Sequence, residues 1–248
     1  MKKISAGSDW NKVDFDKLFL PGISVDTVIF GFHSGQLMVL LLQYRNTESL
    51  ALPGGLILKA ESADEAAQRV LIERTGLKNI FLEQFHTFSD PNRNDPSFFK
   101  EIMKARGLPP TKNHFLLNRF ISIGYYALVD FTKAVPASDG LADECKWYEL
   151  KKLPALIQDH KLIIKKALLM LRENLDKKLV GFNLLPKEFT MGELQDLYET
   201  ILDVKIRRTS FQRKMLNLEI LKKVDIKWTG EAHKAPYLYT LLKSSDRK

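Results

Sequence analysis

Residues 55–77 read GLILKAESADEAAQRVLIERTGL, and this stretch decides the fold of the first part of the chain. Ser62 is followed three residues later by Glu65, which is the spacing of a capping box at the start of a helix. Gly76 lies where a helix commonly ends in the left-handed conformation that glycine adopts without strain. The stretch therefore predicts a strand and a loop followed by a helix over residues 63–75.

Apolar, β-branched segments around this stretch predict the rest of a sheet. Residues 25–33 and 36–44 are separated by Ser34 and Gly35, a two-residue connection typical of a hairpin. Apolar patterns predict three further strands and a closing helix, at residues 79–88, 120–131, 146–150 and 160–174 respectively. The prolines between Asp95 and Asn118 indicate an inserted loop, in which SFFKEIMKARG has the pattern of a short amphipathic helix.

Charge is distributed unevenly along the chain. Residues 205–248 contain twelve Lys and Arg against four Asp and Glu, whereas residues 1–204 contain 26 of each, so the net charge of +8 belongs to the C-terminal segment. This asymmetry indicates an anionic partner for that segment: DNA, RNA or an anionic membrane surface. No apolar run approaches the roughly 18 residues of a membrane span. The single cysteine, Cys145, excludes an intrachain disulfide, and we expect a cytoplasmic protein with no membrane partner.

The C-terminal segment has the pattern of a winged helix. Capping-box spacings occur at Thr190 with Glu193 and at Thr209 with Gln212, each before an apolar helical segment. About seven residues join the two predicted helices, as a helix-turn-helix requires. The tail then alternates like two strands around Gly230, which predicts a wing. The segment GFNLLPKEF before these helices is predicted to be a linker.

The stretch 55–77 resembles the Nudix box, a glycine, glutamate and arginine signature around a helix. The positions in register are Gly55, Glu61, Arg69, Leu71, Glu73, Gly76 and Leu77. Together with FSDPNR at residues 88–93, the C-terminal segments resemble Nudix-related transcriptional regulators, the NrtR-like family with its arabinose-responsive branch. The resemblance implies an α+β fold. A Nudix-like α/β/α sandwich with a mixed sheet, for effector binding and dimerisation, is expected over residues 1–180, and a winged helix-turn-helix over residues 181–248.

The box departs from the family pattern at its metal-binding carboxylates. Nudix hydrolysis uses helix carboxylates to hold divalent ions that bridge a diphosphate. Val70 and Arg74 stand where the family has glutamates, which leaves Glu73 alone. Residues three and four apart share a helix face. On this face the carboxylate of Glu73 is therefore accompanied by the methyl groups of Val70 and the positive charge of Arg74. We predict no enzyme activity, no catalytic residue, no metal and no cofactor, and we expect Glu73 to pair with Arg69.

The resemblance implies a dimeric bacterial repressor whose Nudix-like domain senses a small metabolite. Some relatives respond to ADP-ribose-type nucleotides and control NAD metabolism, and a related branch responds to L-arabinose. The loss of metal ligands removes the usual means of neutralising a diphosphate, so the sequence favours a pentose such as L-arabinose first and an ADP-ribose-like nucleotide second. The predicted effector contacts are Glu73, Asp90, Asn92 and Arg93.

The second helix of the winged helix is predicted to enter the major groove of double-stranded operator DNA. Arg213 is expected to read guanine and Gln212 adenine, while Phe211, Met215 and Leu216 are expected to belong to the core. Ser210 and cations of the helix and wing are expected to contact phosphates. The predicted DNA-binding residues are Arg207, Arg208, Ser210, Gln212, Arg213, Lys214, Lys222, Lys223, Lys227, His233 and Lys234.

The sequence thus favours a ligand-responsive, homodimeric repressor of sugar (pentose) utilisation genes. The alternatives are a regulator of NAD metabolism that senses ADP-ribose, an active Nudix hydrolase of nucleoside diphosphate derivatives, and a nucleic-acid-binding module without a ligand. The effector, the operator and the direction of the effector response stay open at this point. The role of the insertion between Asp95 and Asn118 stays open as well.

Overall fold

The protein is described here by a computed structural model that covers residues 14–44, 47–93, 95–105, 114–137, 142–227 and 235–242. Its first part contains a mixed sheet with a short helix before it. The strands are β1 (Phe19–His33), β2 (Gln36–Tyr44), β3 (Leu50–Ala51), β4 (Gly54–Leu58), β5 (Phe81–Phe88), β6 (Ile121–Val129) and β7 (Ala142–Glu149). The helices are α1 (Phe15–Leu18), α2 (Ala63–Thr75), α3 (Pro96–Ala105) and α4 (His160–Lys177).

The strand order is β3-β2-β1-β6-β5, with β4 paired to β1 and β7 paired to β2. Strands β1 and β6 run parallel, and the other described pairs of this sheet are antiparallel. The predicted hairpin is confirmed, because Ser34 and Gly35 connect β1 to β2 with φ values of 48° and 73°. Positive φ at both turn residues gives a backbone twist that matches the flanking strands.

Helix α2 forms as its sequence predicts. The Ser62 hydroxyl accepts a hydrogen bond from the Glu65 amide at 3.2 Å, and the Glu65 carboxylate accepts one from the Ser62 amide at 2.8 Å. Gly76 ends the helix with φ 69°. The capping box and the left-handed end are therefore confirmed.

Helices α2 and α4 cover opposite faces of the sheet. Along β1, Val25 and Ile29 face α2, whereas Val28 and Phe30 belong to the apolar core that includes α4. This alternation follows from the two-residue period of a strand. The predicted α/β/α sandwich with a mixed sheet is confirmed. The insertion contributes α3, which buries Phe98 and thereby confirms the expected amphipathic helix.

The C-terminal part is a winged helix, as predicted. Its elements are β8 (Phe189–Thr190), α5 (Met191–Leu202), α6 (Arg208–Asn217), β9 (Leu221–Ile226) and β10 (Tyr237–Leu241). The strands form an antiparallel sheet in the order β8-β10-β9. Thr190 and Glu193 form the predicted capping box at the start of α5. Gly230 lies outside the described residues.

The start of α6 differs from its prediction. The helix begins at Arg208, and its N-cap, Arg207, makes no capping hydrogen bond with its side chain. The expected capping box of Thr209 and Gln212 is therefore wrong, because Thr209 is already helical and an N-cap residue needs an extended backbone. Five residues separate α5 from α6, rather than about seven.

The predicted linker is part of the core. Residues Val180–Leu184 form a 3₁₀ helix in which Phe182 and Leu184 are buried. One apolar cluster continues from β1 and α4 through this turn into α5 and α6. The expectation of a linker is wrong because these side chains are apolar and find partners on both sides. A division between residues 180 and 181 stays a prediction. Among the described helices, none is long and apolar enough to cross a membrane.

Candidate functional site

The loop before α2 is fixed by an ion pair between Arg69 and Glu61. The Arg69 guanidinium donates from Nε and Nη2 to the two Glu61 oxygens, at 3.1 and 2.6 Å. It also donates to the Leu56 carbonyl at 3.0 Å, and Glu61 accepts from the Leu58 amide at 2.9 Å. The residues predicted to form the Nudix box thus bind strand, loop and helix together.

Glu73 lies one turn after Arg69 on the exposed side of α2. Its Oε2 is 3.7 Å from Arg69 Nη1, so the expected ion pair is confirmed. The side chain of Glu73 is 40% exposed. Its predicted contact with an effector stays a prediction.

The two helix positions at which the family pattern has glutamates, Val70 and Arg74, are buried. Val70 is 2% exposed and packs in an apolar cluster with Val25, Ile57 and Tyr125. Arg74 is 3% exposed, and its carbonyl accepts a hydrogen bond from the Ala137 amide at 3.0 Å. No group of three His, Cys, Asp or Glu side chains among the described residues is placed to hold a metal ion. A divalent ion of the kind that Nudix hydrolases use does not fit this set of side chains.

The FSDPNR segment, residues 88–93, ends in a turn with two exposed polar side chains. The Asp90 carboxylate accepts a hydrogen bond from the Asn92 amide at 2.8 Å, and both residues are exposed. Arg93, the third polar residue of this turn, is buried. Its Nε and Nη2 donate to the two Asp159 oxygens at 2.9 Å each, and its Nη1 donates to the Phe120 carbonyl at 3.0 Å. The structure gives Arg93 partners within the chain, and the predicted effector contacts of all three residues stay predictions.

A buried polar cluster that sequence reasoning missed extends from Arg93 into the sheet. Arg93 Nη2 is 3.6 Å from Asp26 Oδ2, which accepts a hydrogen bond from Ser122 at 2.5 Å. His160 Nδ1 accepts from the Leu52 amide at 2.9 Å, and His160 Nε2 is 3.8 Å from Asp26 Oδ1. Burial lowers the pKa of His160, against the opposing effect of Asp26. The histidine is therefore neutral at pH 7, with its proton on Nε2.

Helix α6 presents the predicted DNA-binding residues to solvent. Phe211 and Met215 are buried, as predicted, and the Phe211 ring packs edge-on against Tyr198 with centroids 5.2 Å apart. Leu216 is 43% exposed, so its expected place in the core is wrong. It follows Met215 by one residue, and adjacent helical residues do not share a face. The predicted DNA-binding residues that are exposed in and just before α6 are Arg207, Arg208, Ser210, Gln212, Arg213 and Lys214.

Several predicted phosphate contacts have partners within the chain. Lys214 Nζ is 2.7 Å from Asp176 Oδ2 in α4, and Lys227 Nζ is 2.7 Å from Glu193 Oε1. Lys223 Nζ lies 3.0 Å from the centroid of the Tyr237 ring. Lys222 is exposed on β9. His233 and Lys234 lie outside the described residues.

Glu199 fixes the turn between α5 and α6, a role that sequence reasoning missed. Its Oε1 accepts hydrogen bonds from the Ile206 amide and from Gln195 Nε2, both at 2.9 Å. Its Oε2 is 2.7 Å from Lys205 Nζ, and hydrogen bonding to Lys205 is the main reason why the pKa of Glu199 falls to about 2. The sequence does contain a signal for this pair, because Glu199 near the end of α5 is followed by Lys205 in the turn, and opposite charges so close in the chain can pair.

Comparisons with known proteins agree with this geometry. Residues 20–169 match the NUDIX domain family, and residues 181–241 match the NrtR DNA-binding winged helix domain. The ADPR-responsive transcriptional repressor NtrR of Acinetobacter baylyi is 28% identical over 212 residues, which are 83% of this chain and 76% of that protein.

Two solved structures resemble most of the chain. Shewanella oneidensis NrtR in complex with a 27mer DNA has a TM-score of 0.68 and 28% identity, over 88% of this chain and 93% of that one. A MutT/nudix family protein from Enterococcus faecalis, 23% identical with a TM-score of 0.65 over 94% of this chain and 90% of that one, shares the fold. With a NUDIX match over more than half of its length and an NrtR winged helix after it, the chain belongs to the Nudix family, among the NrtR-like transcriptional regulators.

Proposed function

We propose that this protein is a transcriptional repressor that binds operator DNA through α6 and changes its affinity for that DNA when ADP-ribose binds the Nudix domain. The observation that carries the proposal is a set of three exposed arginines, Arg207 at the N-cap and Arg208 and Arg213 within α6, the second helix of a winged helix that matches the NrtR DNA-binding domain. Guanidinium groups at the start of a groove-binding helix are suited to phosphates and to guanine edges.

ADP-ribose is the effector that the comparisons favour. The repressor from Acinetobacter baylyi is named as ADPR-responsive, and its similarity extends over both domains of this chain. No comparison supports a pentose, so the order of the two effectors predicted from the sequence is reversed. The genes under control are then, as the family resemblance implies, those of NAD metabolism.

The Nudix domain of this repressor is a binding domain without hydrolase activity. Val70 contributes methyl groups to an apolar cluster, and Arg74 brings a positive charge where a dication would need oxygen. Glu73 is engaged by Arg69. A single paired carboxylate does not provide the several oxygen ligands that a hard dication requires.

The repressor acts as a homodimer in the cytoplasm. One short helix such as α6 reads only a few base pairs, and a two-fold dimer doubles the recognised length on a pseudo-palindromic operator. A DNA-binding protein works where the DNA is, which in a bacterium is the cytoplasm.

The test measures binding of the full-length protein to a duplex that it has itself selected from a random pool. Replacing Arg213 with Ala is expected to weaken binding by about 1–3 kcal/mol and to relax sequence preference, because a bidentate contact to guanine is lost. The matched control is Lys161→Ala, which removes one exposed cation from α4, outside the winged helix. Unchanged affinity of Arg213→Ala would remove α6 as the recognition helix.

The effector is tested with the same duplex in the presence of ADP-ribose and, separately, of L-arabinose. A change in DNA affinity with ADP-ribose alone supports the proposal. A change with L-arabinose alone contradicts it and restores the pentose as effector. No change with either reduces the Nudix domain to a scaffold.

A further inference from the structure

Helix α4 connects the FSDPNR segment to the recognition helix α6. It contains 18 residues, which corresponds to about 27 Å at the usual rise per residue. Its N-cap residue, Asp159, contacts the FSDPNR segment, and its last two turns contact α5 and α6. The inference below rests on the proposed function, because it concerns how the effector changes DNA binding.

At the first turn, Arg93 holds α4 through Asp159, the residue just before the helix. Each of the three guanidinium nitrogens of Arg93 donates a hydrogen bond to a protein acceptor, two to Asp159 and one to Phe120. The Arg93 side chain is 3% exposed and that of Asp159 is 15% exposed. A two-bond contact between a guanidinium and a carboxylate fixes both distance and orientation. Movement of the FSDPNR turn must therefore be followed by the start of α4 or break this contact.

At the other end, α4 contacts the winged helix through polar groups of three residues. Arg172 Nε donates to the Ile201 carbonyl of α5 at 2.7 Å, and the Leu175 carbonyl accepts from the Tyr198 hydroxyl at 3.4 Å. Asp176 pairs with Lys214 of α6 at 2.7 Å. Helix α4 is thus attached to both helices of the helix-turn-helix.

Apolar packing makes α4 and the winged helix move together. Leu171 and Leu175 of α4 are in one buried cluster with Leu194 and Leu197 of α5. Protein interiors are close-packed, so a displacement of α4 is transmitted rather than absorbed. Ile163 and Ile164 of α4 pack in the same cluster against β1. The Arg93–Asp159 contact is a polar attachment at the start of α4, beside the hydrogen bond from the Leu52 amide to His160.

We infer that Arg93 is a positioning residue that transmits the state of the effector site to the DNA-binding helix through α4. Asp90 and Asn92 are exposed on the same turn as Arg93, and they can engage a bound nucleotide while Arg93 faces inward. An effector that favours one position of this turn favours one position of Asp159, of α4 and of α6. A ligand changes DNA affinity only through such a difference between two states.

The experiment measures three quantities on full-length variants: the Kd for ADP-ribose, the Kd for the selected duplex, and the ratio of duplex Kd values with and without ADP-ribose. Asp159→Asn keeps the shape of the side chain but removes the charge that holds Arg93. We expect both separate Kd values to stay within about threefold of the parent. The ratio is commonly about 5- to 150-fold in coupled systems. In Asp159→Asn it should fall to the square root of the parental ratio or below.

A second variant avoids the buried cluster. Asp176→Asn removes the charge that pairs α4 with Lys214 of α6 at a half-exposed side chain, and the ratio is expected to fall by a few-fold at most, because exposed ion pairs are weak. Its matched control is Lys178→Gln, which breaks an equally short pair, 2.7 Å to Glu83, that joins the end of α4 to β5 instead. The control should keep the parental ratio.

Different results separate the inference from the proposed function. If the parent shows no effect of ADP-ribose on duplex binding, the proposed function fails and the inference falls with it. If the parent shows the effect and Asp159→Asn keeps the full ratio, only the inference is overturned. If a folded Arg93→Lys variant loses ADP-ribose binding by more than about 100-fold while Asp159→Asn keeps it, Arg93 contacts the ligand directly and the positioning role is wrong.

Discussion

Replacing Val70 with Glu restores one family carboxylate to α2 and tests whether this position has become part of the core. Val70 is 2% exposed and packs with Val25, Ile57 and Tyr125. A Cβ built on Gly55 would lie 3.0 Å from Val70 Cγ2, so the adjacent strand leaves little room for a longer side chain. We expect Val70→Glu to destabilise the fold rather than to create a metal ligand.

The magnitude follows from two losses. Removing a buried valine forfeits about 1.5–3 kcal/mol of apolar burial. Placing a carboxyl group among apolar side chains costs a further amount of about 1–3 kcal/mol even when it is protonated, because its polar atoms lose water. The two losses sum to roughly 2.5–6 kcal/mol, which corresponds to a decrease in Tm of about 5–24 °C for a protein of this size.

Thermal unfolding followed by circular dichroism measures this decrease in Tm, in the absence and in the presence of millimolar magnesium. The matched control is Gln68→Glu, which adds a carboxylate to an exposed position of the same helix and should change Tm little. Val70→Glu with the parental Tm, or with a Tm restored by magnesium, would show that the side chain faces an open pocket. The assignment of Val70 to the core would then be refuted.

Further predictions concern the chemistry, the pH response and the winged helix. With magnesium, the parent should not hydrolyse ADP-ribose, because Glu73 is the single carboxylate of its set and is paired with Arg69; turnover of about 1 per second, a modest enzymatic rate, would contradict this. His160 has a pKa lowered by burial, so its neutral form contributes stability that is present above about pH 6.5 and is lost as the pH falls towards the folded pKa, by up to ~1.4 kcal/mol per pH unit. Urea unfolding at pH 7.5 and 5.5 should show a smaller loss for His160→Gln than for the parent; equal losses would place the response elsewhere. Thr190→Ala should lower the free energy of unfolding by about 1 kcal/mol, because the Glu193 amide loses its cap; denaturant titration checks this, and an unchanged midpoint would show that the cap is not stabilising.

Local signals in the sequence were enough for most of the fold. Ser62 with Glu65, and Thr190 with Glu193, define helix starts through contacts within four residues, so their patterns are visible in the sequence itself. Thr209 has the same spacing to Gln212, yet the N-cap of α6 is Arg207, two residues earlier. Here the turn fixed by Glu199 determines where the helix begins, and this contact spans seven residues to Ile206.

The polar clusters of the candidate site could not be predicted in the same way. The Arg93 and Asp159 pair joins residues 66 positions apart, and Asp26 and Ser122 are 96 apart. The strand order of the sheet brings these residues together. Periodicity and spacing in the sequence do not reveal that order, so the contacts could not be predicted from local patterns. The same is true of the core shared by Leu175 and Leu197, which is why residues 181–189 resemble a linker in the sequence while Phe182 is buried in the structure.

The shared core has a consequence for how such regulators can change over time. Leu171 and Leu175 of α4 and Leu194 and Leu197 of α5 are buried in one cluster that also includes Val28 and Phe30 of β1, so the sheet, α4 and the winged helix share one apolar core. A winged helix taken from another regulator would need matching side chains at these positions before it could dock. Exchange of the winged helix between regulators is therefore expected to require compensating substitutions on the face of α4 that contacts it. If α6 reads the operator as proposed, new operator preferences are more readily gained by substitutions at exposed positions such as Gln212 and Arg213, which the core does not constrain.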